Sequence, residues 1–276
     1  MNKYSLLIVR RFVLLLLCTT FVAPSFAIII RHDVGPARYE VRESSYPSVF
    51  FLEEQGNRKV CAATVIHQQW ALTAAHCVEQ TLLGNTLANG RDFAVLVGGQ
   101  DREIDAVIIH PEFDLENAAD VDLALLRFKQ TSTTPRAMPL HVQELELDSI
   151  VTLLGWGYFG LGTTGRQYND GSLRLARNRI TDVDRRFKIR FDDPRDRASQ
   201  ALPLEGVPSL GDSGGPALLE NEDGLFLIGI TVGEVTVNGF SEETQGEYGA
   251  IAIYEIVALQ LDWIETVIGS SAPFDS

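Results

Sequence analysis

Three short segments, TAAHC, DLALL and GDSGGP, occur in that order along the 276-residue chain and constrain it more than any other feature. The first contains His76, the second begins with Asp122, and the third places Ser213 among glycines. Each of the three residues therefore lies in a local sequence that suits nucleophilic catalysis by a serine.

A serine hydroxyl is a poor nucleophile at neutral pH until a base removes its proton. His76 is the predicted base, since an imidazole with a pKa of about 6.5 can take the proton from Ser213 and later return it to a leaving amine. Asp122 would hold the ring in the required tautomer. The glycines allow unusual backbone dihedral angles, so the N–H groups of Gly211 and Ser213 are predicted to form an oxyanion hole worth roughly 3 kcal/mol for each donor.

At these residues the chain resembles the trypsin/chymotrypsin family of serine endopeptidases, which has the same order of His, Asp and Ser. Other segments also resemble motifs of that family: CAATVI at 61–66, WALTAAHC at 70–77, HPEF at 110–113, GWG at 155–157 and LIGI at 227–230. The resemblance covers nearly all of the chain after about residue 28. It implies an endopeptidase that acts on polypeptides through an acyl-enzyme and needs no cofactor.

The resemblance implies an all-β fold of two antiparallel six-stranded barrels with a C-terminal helix. Short β-rich runs bounded by turns are compatible with it. We expect a protease domain over 28–276, with a first barrel at about 40–130, a second at about 148–255 and an amphipathic helix at about 257–268. A Thr- and Pro-rich stretch at 130–140 reads as the linker between the barrels.

The N-terminus is typical of a secretory signal peptide over 1–27. A basic start is followed by an apolar run at 12–23 and by Ser25-Phe26-Ala27, a small-residue cleavage site. The protein is therefore predicted to be secreted or periplasmic. An uncleaved membrane anchor over 12–30 is the alternative, and the pair Arg10-Arg11 is a weaker indication of twin-arginine export.

The cysteine count agrees with export. Of the three cysteines, Cys18 lies in the predicted signal peptide, which leaves Cys61 and Cys77 as an even pair. In the resembled family this pair closes the histidine loop; two free thiols in a cytosolic protein are the alternative. Many animal relatives have more disulfides, including one where this chain has Ser209, so a bacterial secreted member is predicted.

The chain is acidic, with a net charge of −14 from 23 basic and 37 acidic residues. Residues 1–27 contain three basic residues and no acid, so the mature chain would have 20 basic residues and a charge of −17. This argues against nucleic acid or an anionic membrane as a partner. Polypeptide substrates and protein inhibitors are the expected partners of a monomer. No metal site is predicted, because the other histidines lack zinc-ligand spacing.

Asp212 is assigned a role on the resemblance alone. In the family, the aspartate before the serine pairs with a new N-terminal ammonium and so orders the oxyanion hole. The partner would be the amine of Ile28, released by cleavage after Ala27. The segment Ile28-Ile29-Ile30 lacks the family's two glycines, so a start at Ile29 or Ile30, or a surface segment with no activating role, stays open.

The predicted specificity pocket departs from the family's pattern. Val207, six residues before Ser213, occupies the position where trypsin-like enzymes have an aspartate. Val232, Gly233 and Glu234 replace the usual S-W-G, and Gly249 is assigned to the opposite wall. Apolar selection at Val207 and selection of a basic residue by Glu234 both stay open. So does the alternative function, a catalytically silent homologue that acts as a binding module.

One further ambiguity concerns the aspartate itself. Asp120 and Asp122 both precede the apolar run LALL. Asp122 is preferred because it abuts that run, as the family's aspartate does, and Asp120 is assigned to the loop.

Overall fold

The computed structural model describes residues 28–114, 120–235 and 244–269, so the predicted signal peptide lies outside the described residues. The strands of the first half are β1 (Ile29–Ile30), β2 (Val49–Gln55), β3 (Arg58–His67), β4 (Trp70–Thr73), β5 (Phe93–Val97), β6 (Gln100–Ile109) and β7 (Ala124–Phe128). Those of the second half are β8 (Ile150–Gly155), β9 (Phe159–Leu161), β10 (Gly165–Tyr168), β11 (Arg174–Val183), β12 (Arg186–Arg190), β13 (Gly206–Val207), β14 (Pro216–Asn221), β15 (Gly224–Val235) and β16 (Ile251–Ile256). The α-helices are α1 (His76–Gln80), α2 (Leu83–Ala88) and α3 (Leu261–Ile268).

The first barrel is a six-stranded antiparallel sheet in the order β2-β3-β4-β7-β6-β5, with β2 and β5 in contact. Buried and exposed residues alternate in β5, the last strand in this order: Phe93, Val95 and Val97 are buried, whereas Ala94 and Leu96 are exposed. Strand β4 has no such alternation, because all four of its residues are buried. A sequence without a two-residue period gives no strand signal there.

The second barrel is closed, with strand order β11-β12-β16-β15-β14-β8. The side chains of β12 alternate between core and surface, since Phe187 and Ile189 are buried and Arg190 is exposed. Phe187 stacks on Tyr254 of β16 with ring centroids 4.7 Å apart. The two barrels together confirm the predicted all-β architecture.

A small four-stranded sheet, β10-β9-β1-β13, lies beside the second barrel. In it, β1 pairs parallel to β9 and antiparallel to β13, which places Ile29 opposite Val207. The start of the described chain is thus built into the second half of the molecule.

The C-terminal segment is helical, as predicted, but in two parts. A 3-10 turn over Val257–Gln260 precedes α3, and Gly269 ends the helix in the left-handed conformation with φ 68°. Ile264 of α3 is fully buried, and Trp263 packs against His110 with ring centroids 4.7 Å apart. The helix therefore also contacts the segment that follows β6 of the first barrel.

Candidate active site

His76 and Asp122 lie at the same edge of the first barrel because of strand register. Strands β4 and β7 are antiparallel partners, and Thr73 at the end of β4 pairs with Ala124 at the start of β7. His76 begins α1 shortly after β4, and Asp122 lies just before β7. Two residues far apart in sequence are thereby brought side by side.

Two hydrogen bonds join His76 to the Asp122 carboxylate, one from the ring and one from the backbone. Nδ1 of His76 lies 2.5 Å from Oδ2 of Asp122, and the backbone N–H of His76 donates to Oδ1 at 2.9 Å. Because a carboxylate only accepts, Nδ1 is the donor, which leaves Nε2 free to act as a base. Both side chains are only 10% exposed.

Ser213 lies on a turn of the second barrel that is bound to β3 of the first. The N–H of Ala62 donates to the carbonyl of Ser213 at 2.7 Å, and the N–H of Cys61 donates to that of Gly211 at 3.0 Å. Gly214 makes the close approach possible: it has φ 76°, and a Cβ there would lie 2.2 Å from the carbonyl oxygen of Ala62.

His76, Asp122 and Ser213 line one cleft of about 380 Å³. Ser213 is partly exposed, and among the described residues its hydroxyl makes no hydrogen bond. Catalytic hydrogen bonds of this type are often long without substrate and tighten in the complex. The three predicted residues therefore share one cleft, with the His76–Asp122 contact already formed.

The backbone around Ser213 leaves two amides available. The N–H groups of Asp212, Gly214 and Gly215 donate to backbone carbonyls, at 2.9 Å in each case. Within the described ranges, those of Gly211 and Ser213 donate to no acceptor. Gly211 has φ 102°, a conformation that other residues rarely adopt. These are the two amides that the sequence assigns to the oxyanion hole.

Asp212 is 1% exposed and its carboxylate is held by polar groups of its own barrel. Gly157 N–H donates to Oδ1 at 2.6 Å; Ser209 donates to Oδ2 from its N–H at 2.8 Å and from its hydroxyl at 3.2 Å. Burial nevertheless raises the pKa of Asp212 to about 6. Among the described residues no cation pairs with this carboxylate.

Ile28 is 1% exposed and has φ 61°. A positive φ is an outlier for a β-branched side chain. In the full chain Ile28 follows Ala27 in a peptide bond, so it has no free amine. The predicted Ile28–Asp212 pair therefore stays a prediction about a cleaved chain.

The five predicted pocket residues fall in different places. Val232, Gly233 and Glu234 line the cleft together with the serine. Val207 is fully buried in the core of the second barrel, and Gly249 lies on a separate cavity of about 490 Å³. Neither is among the described residues that line the cleft.

Several lining residues were not found from the sequence. Pro208, Ser209, Leu210 and Gln245 line the cleft, and the Leu210 N–H donates to Oε1 of Gln245 at 3.3 Å. Ser209 and Leu210 directly precede the GDSGG motif, so their position next to the motif could have identified them as lining residues. No motif marks Gln245, which reaches the cleft from a distant part of the chain.

Glu234 is the acidic residue on the pocket wall. Its Oε1 accepts a hydrogen bond from Gly246 N–H at 3.0 Å. Its Oε2 is buried and has no hydrogen-bond partner among the described residues. Burial raises the pKa of Glu234 to about 7. An unsatisfied buried carboxylate oxygen is costly unless a ligand supplies a donor.

Cys61 and Cys77 form a disulfide with Cα atoms 5.9 Å apart, which agrees with the predicted pair. The bridge joins β3 to α1 next to His76. The two sulfur atoms and a ring nitrogen of His76 lie within 4.8 Å of one another. Since both sulfurs are bonded to each other, this group offers no thiolate to a metal.

A double antiparallel barrel with His76, Asp122 and Ser213 in one cleft defines the chymotrypsin-like class of folds. The chain belongs to the trypsin family, whose sequence profile, described as Trypsin, matches residues 37–264.

Individual relatives agree with this assignment. The chain is 28% identical to mouse vitamin K-dependent protein C over 257 residues, covering 83% of this chain and 50% of that protein. It is 28% identical to human granzyme M over 239 residues, covering 84% and 88% of the two chains. The chain spans about half or less of the length of the larger relatives that it matches.

Among solved structures, the fold is similar to that of neuropsin, a serine protease expressed in the limbic system of mouse brain. The TM-score is 0.61 at 20% sequence identity, covering 83% of this chain and 98% of neuropsin. These relatives come from mouse and human, so the predicted bacterial origin stays a prediction. In the part of the chain that the structure describes, no helix is long and apolar enough to cross a membrane.

Proposed function

We propose that this protein is an exported serine endopeptidase that cleaves polypeptides through an acyl-enzyme. The observation that carries the proposal is the His76–Asp122 contact of 2.5 Å in the same cleft as Ser213. The unused amides of Gly211 and Ser213 support it, because they can receive a developing negative charge.

In the first step, Oγ of Ser213 attacks the carbonyl carbon of the scissile peptide while Nε2 of His76 takes the hydroxyl proton. The carbonyl oxygen becomes an oxyanion, which the two amides stabilise by roughly 3 kcal/mol each. Asp122 stabilises the imidazolium that forms. The C–N bond then breaks, and His76 returns the proton to the leaving amine.

In the second step, water attacks the acyl-enzyme. His76 takes a proton from that water, and the same oxyanion site is used again. The intermediate collapses to release the carboxylate product, and the proton passes to Oγ of Ser213. The free enzyme is restored without a cofactor.

The proposal is tested with an active-serine phosphonate and a diverse peptide library. We expect wild-type protein to become labelled on Ser213 and to cleave peptides, and Ser213→Ala to do neither, with a loss of roughly 10⁶-fold in kcat. Ser132→Ala, at a partly exposed serine remote in sequence from the motif, is the matched control. Failure of correctly processed wild-type protein to label would favour the silent binding homologue.

We further propose that export removes residues 1–27 and that the amine of Ile28 then pairs with Asp212. Two features support this. The positive φ of Ile28 strains the backbone of a β-branched residue. This angle exists only while a residue precedes Ile28, so cleavage after Ala27 removes the strain. The buried Asp212 carboxylate would gain the cation that a buried charge needs.

Intact mass and N-terminal sequencing of the exported protein test this processing. We expect a chain that begins at Ile28. Ala27→Phe puts a bulky residue before the cleaved bond, so this variant should keep the signal peptide. Ile28→Val should be processed and active. A mature chain that begins well away from Ile28 would refute the proposed pair, and a retained leader would favour the membrane-anchor alternative.

For specificity, we propose that Glu234 selects a Lys or Arg residue before the cleaved bond. Its unpartnered Oε2 can accept from a cationic side chain, whereas Val207 lies in the barrel core. Library cuts after Lys or Arg that disappear in Glu234→Gln would support this, with Glu220→Gln as control. Cuts after apolar residues, unchanged in Glu234→Gln, would refute it.

Polypeptide substrates and protein inhibitors are the proposed partners, and a monomer is the proposed state. The net charge of −14 supports both the solubility of a free monomer and the exclusion of nucleic acid. Sedimentation of the processed protein tests the monomer, which a stable dimer would exclude.

A further inference from the structure

A buried carboxylate of the second barrel holds the backbone of Asp122. Glu255 lies in β16 and is 1% exposed. Its Oε1 accepts a hydrogen bond from the backbone N–H of Asp122 at 3.0 Å. The triad aspartate, which belongs to the first barrel, is therefore attached to the barrel that contains Ser213.

Arg186 holds this carboxylate in place. It lies directly opposite Glu255 in the pairing of β12 with β16, and its Nε donates to Oε1 of Glu255 at 2.7 Å. Nη2 of Arg186 contacts the same oxygen and also donates to Asp120, at 2.9 Å to Oδ1 and 3.0 Å to the carbonyl. Arg185 donates to that carbonyl as well, at 3.0 Å. Asp120, which we assigned to a loop, is thus part of an ion-pair network.

The surroundings of Arg186 raise its pKa. Burial by itself lowers the pKa of Arg186, but hydrogen bonds and charge attraction from Glu255 and Asp120 outweigh burial and raise it. The arginine therefore stays a cation, and the carboxylate of Glu255 has a partner that offsets its desolvation.

We propose that Glu255 is a positioning residue for the reaction of Ser213: it fixes Asp122, and through it His76, relative to the second barrel. This inference rests on the proposed endopeptidase function. The carboxylate of Asp122 can orient His76 only if its own backbone is fixed, and a displacement of about 1 Å can cost roughly 10²-fold in rate. Without Glu255, the Asp122 N–H would lose its acceptor in a buried position.

The test compares Glu255→Met with Glu205→Met. Glu205 is the matched control because it is also a buried carboxylate of the second half, 2% exposed, and accepts hydrogen bonds from the backbone N–H groups of Asp192 and Leu202. It contacts none of His76, Asp122 and Ser213. Both variants should lose stability, because each removes an acceptor from amides that are buried, at Asp122, or partly buried, at Asp192 and Leu202.

We expect kcat, expressed per phosphonate-titrated site, to fall about 10²-fold in Glu255→Met with KM nearly unchanged, and to stay at the wild-type level in Glu205→Met. Glu255→Gln keeps an oxygen acceptor for the Asp122 N–H and should recover most of kcat. A wild-type kcat in Glu255→Met would overturn the proposal.

Misfolding is controlled by the triple variant Glu255→Met/Arg186→Met/Asp120→Asn. It removes all three charges of the network, including the Asp120 carboxylate that Arg186 pairs with, so it should regain much of the stability lost in Glu255→Met. Because Asp122 still lacks its acceptor, kcat should stay low. Recovery of kcat together with stability would show that Glu255 is merely structural and would overturn the proposal.

A second measurement separates this inference from the proposed function. The Nδ1 proton of His76 lies in a short hydrogen bond to Asp122 and should give a far-downfield NMR resonance, whether or not the protein cleaves peptides. Glu255→Met should shift or broaden that resonance, and Glu205→Met should not. If wild-type protein is inactive but the resonance responds in this way, the positioning role holds and the endopeptidase proposal fails. An unchanged resonance in Glu255→Met would overturn the positioning role.

Discussion

Removal of the Cys61–Cys77 disulfide should destabilise the protein by about 3 kcal/mol. The two cysteines are 16 residues apart in sequence, and cross-linking a loop of that size removes about 10 cal/mol/K of entropy from the unfolded chain. At 25 °C this corresponds to about 3 kcal/mol. For a chain of this length, the loss should lower the unfolding midpoint by roughly 6–12 °C.

The measurement is equilibrium urea unfolding of processed protein in the Ser213→Ala background, where self-digestion is excluded. Wild-type cysteines under oxidising and reducing conditions give the first comparison, since reduction leaves both sulfur atoms in place. Cys77→Ala should have nearly the stability of the reduced protein and should not respond to reductant. A difference below about 1 kcal/mol between oxidised and reduced protein would refute the loop-entropy reasoning.

Three other perturbations have defined outcomes. Asp122→Asn should favour the wrong tautomer of His76 and lower kcat about 10⁴-fold with the fold intact; a loss below tenfold, measured per folded molecule, would contradict its role. Gly214→Ala places a Cβ 2.2 Å from the Ala62 carbonyl oxygen at φ 76°, so phosphonate labelling should be abolished, and normal labelling rates would show that the turn can shift. In the uncleaved chain the pKa of Asp212 is about 6, above its value of about 3.9 in the unfolded chain. The Asp212 carboxyl group therefore contributes most to the free energy of unfolding at low pH, and this contribution is lost as the pH rises through 6. Relative to Asp212→Asn, the uncleaved protein should lose about 2 kcal/mol of unfolding free energy between pH 4.5 and 7.5, and a pH-independent difference would contradict the raised pKa.

Residues with a local motif could be predicted from the sequence. His76, Asp122 and Ser213 each lie in a short segment with its own composition, and the structure brings all three to one cleft. The double barrel followed from the same resemblance. The evenly buried strand β4 could not be assigned, because its residues lack the alternation that distinguishes a half-buried strand.

Residues whose role depends on tertiary pairing could not be predicted. Glu255 and Arg186 are charged positions in strands, and exposure is the usual state of such residues. Their burial beside Asp122 follows from the pairing of β12 with β16 and from the docking of two barrels, neither of which has a local signal. Asp120 lies outside the strands, as assigned, but its ion pair with Arg186 had no local signal either.

The backbone of β3 holds the serine turn through the N–H groups of Cys61 and Ala62, and Glu255 returns the contact from the other barrel to Asp122. Each barrel thus holds a catalytic residue of the other barrel in position: the first barrel holds Ser213, and the second holds Asp122. A small displacement at the interface between the two barrels would stop hydrolysis while leaving every strand folded. Inactivation by heat or denaturant should therefore begin at the interface between the two barrels. The loss of turnover should precede the loss of β-structure.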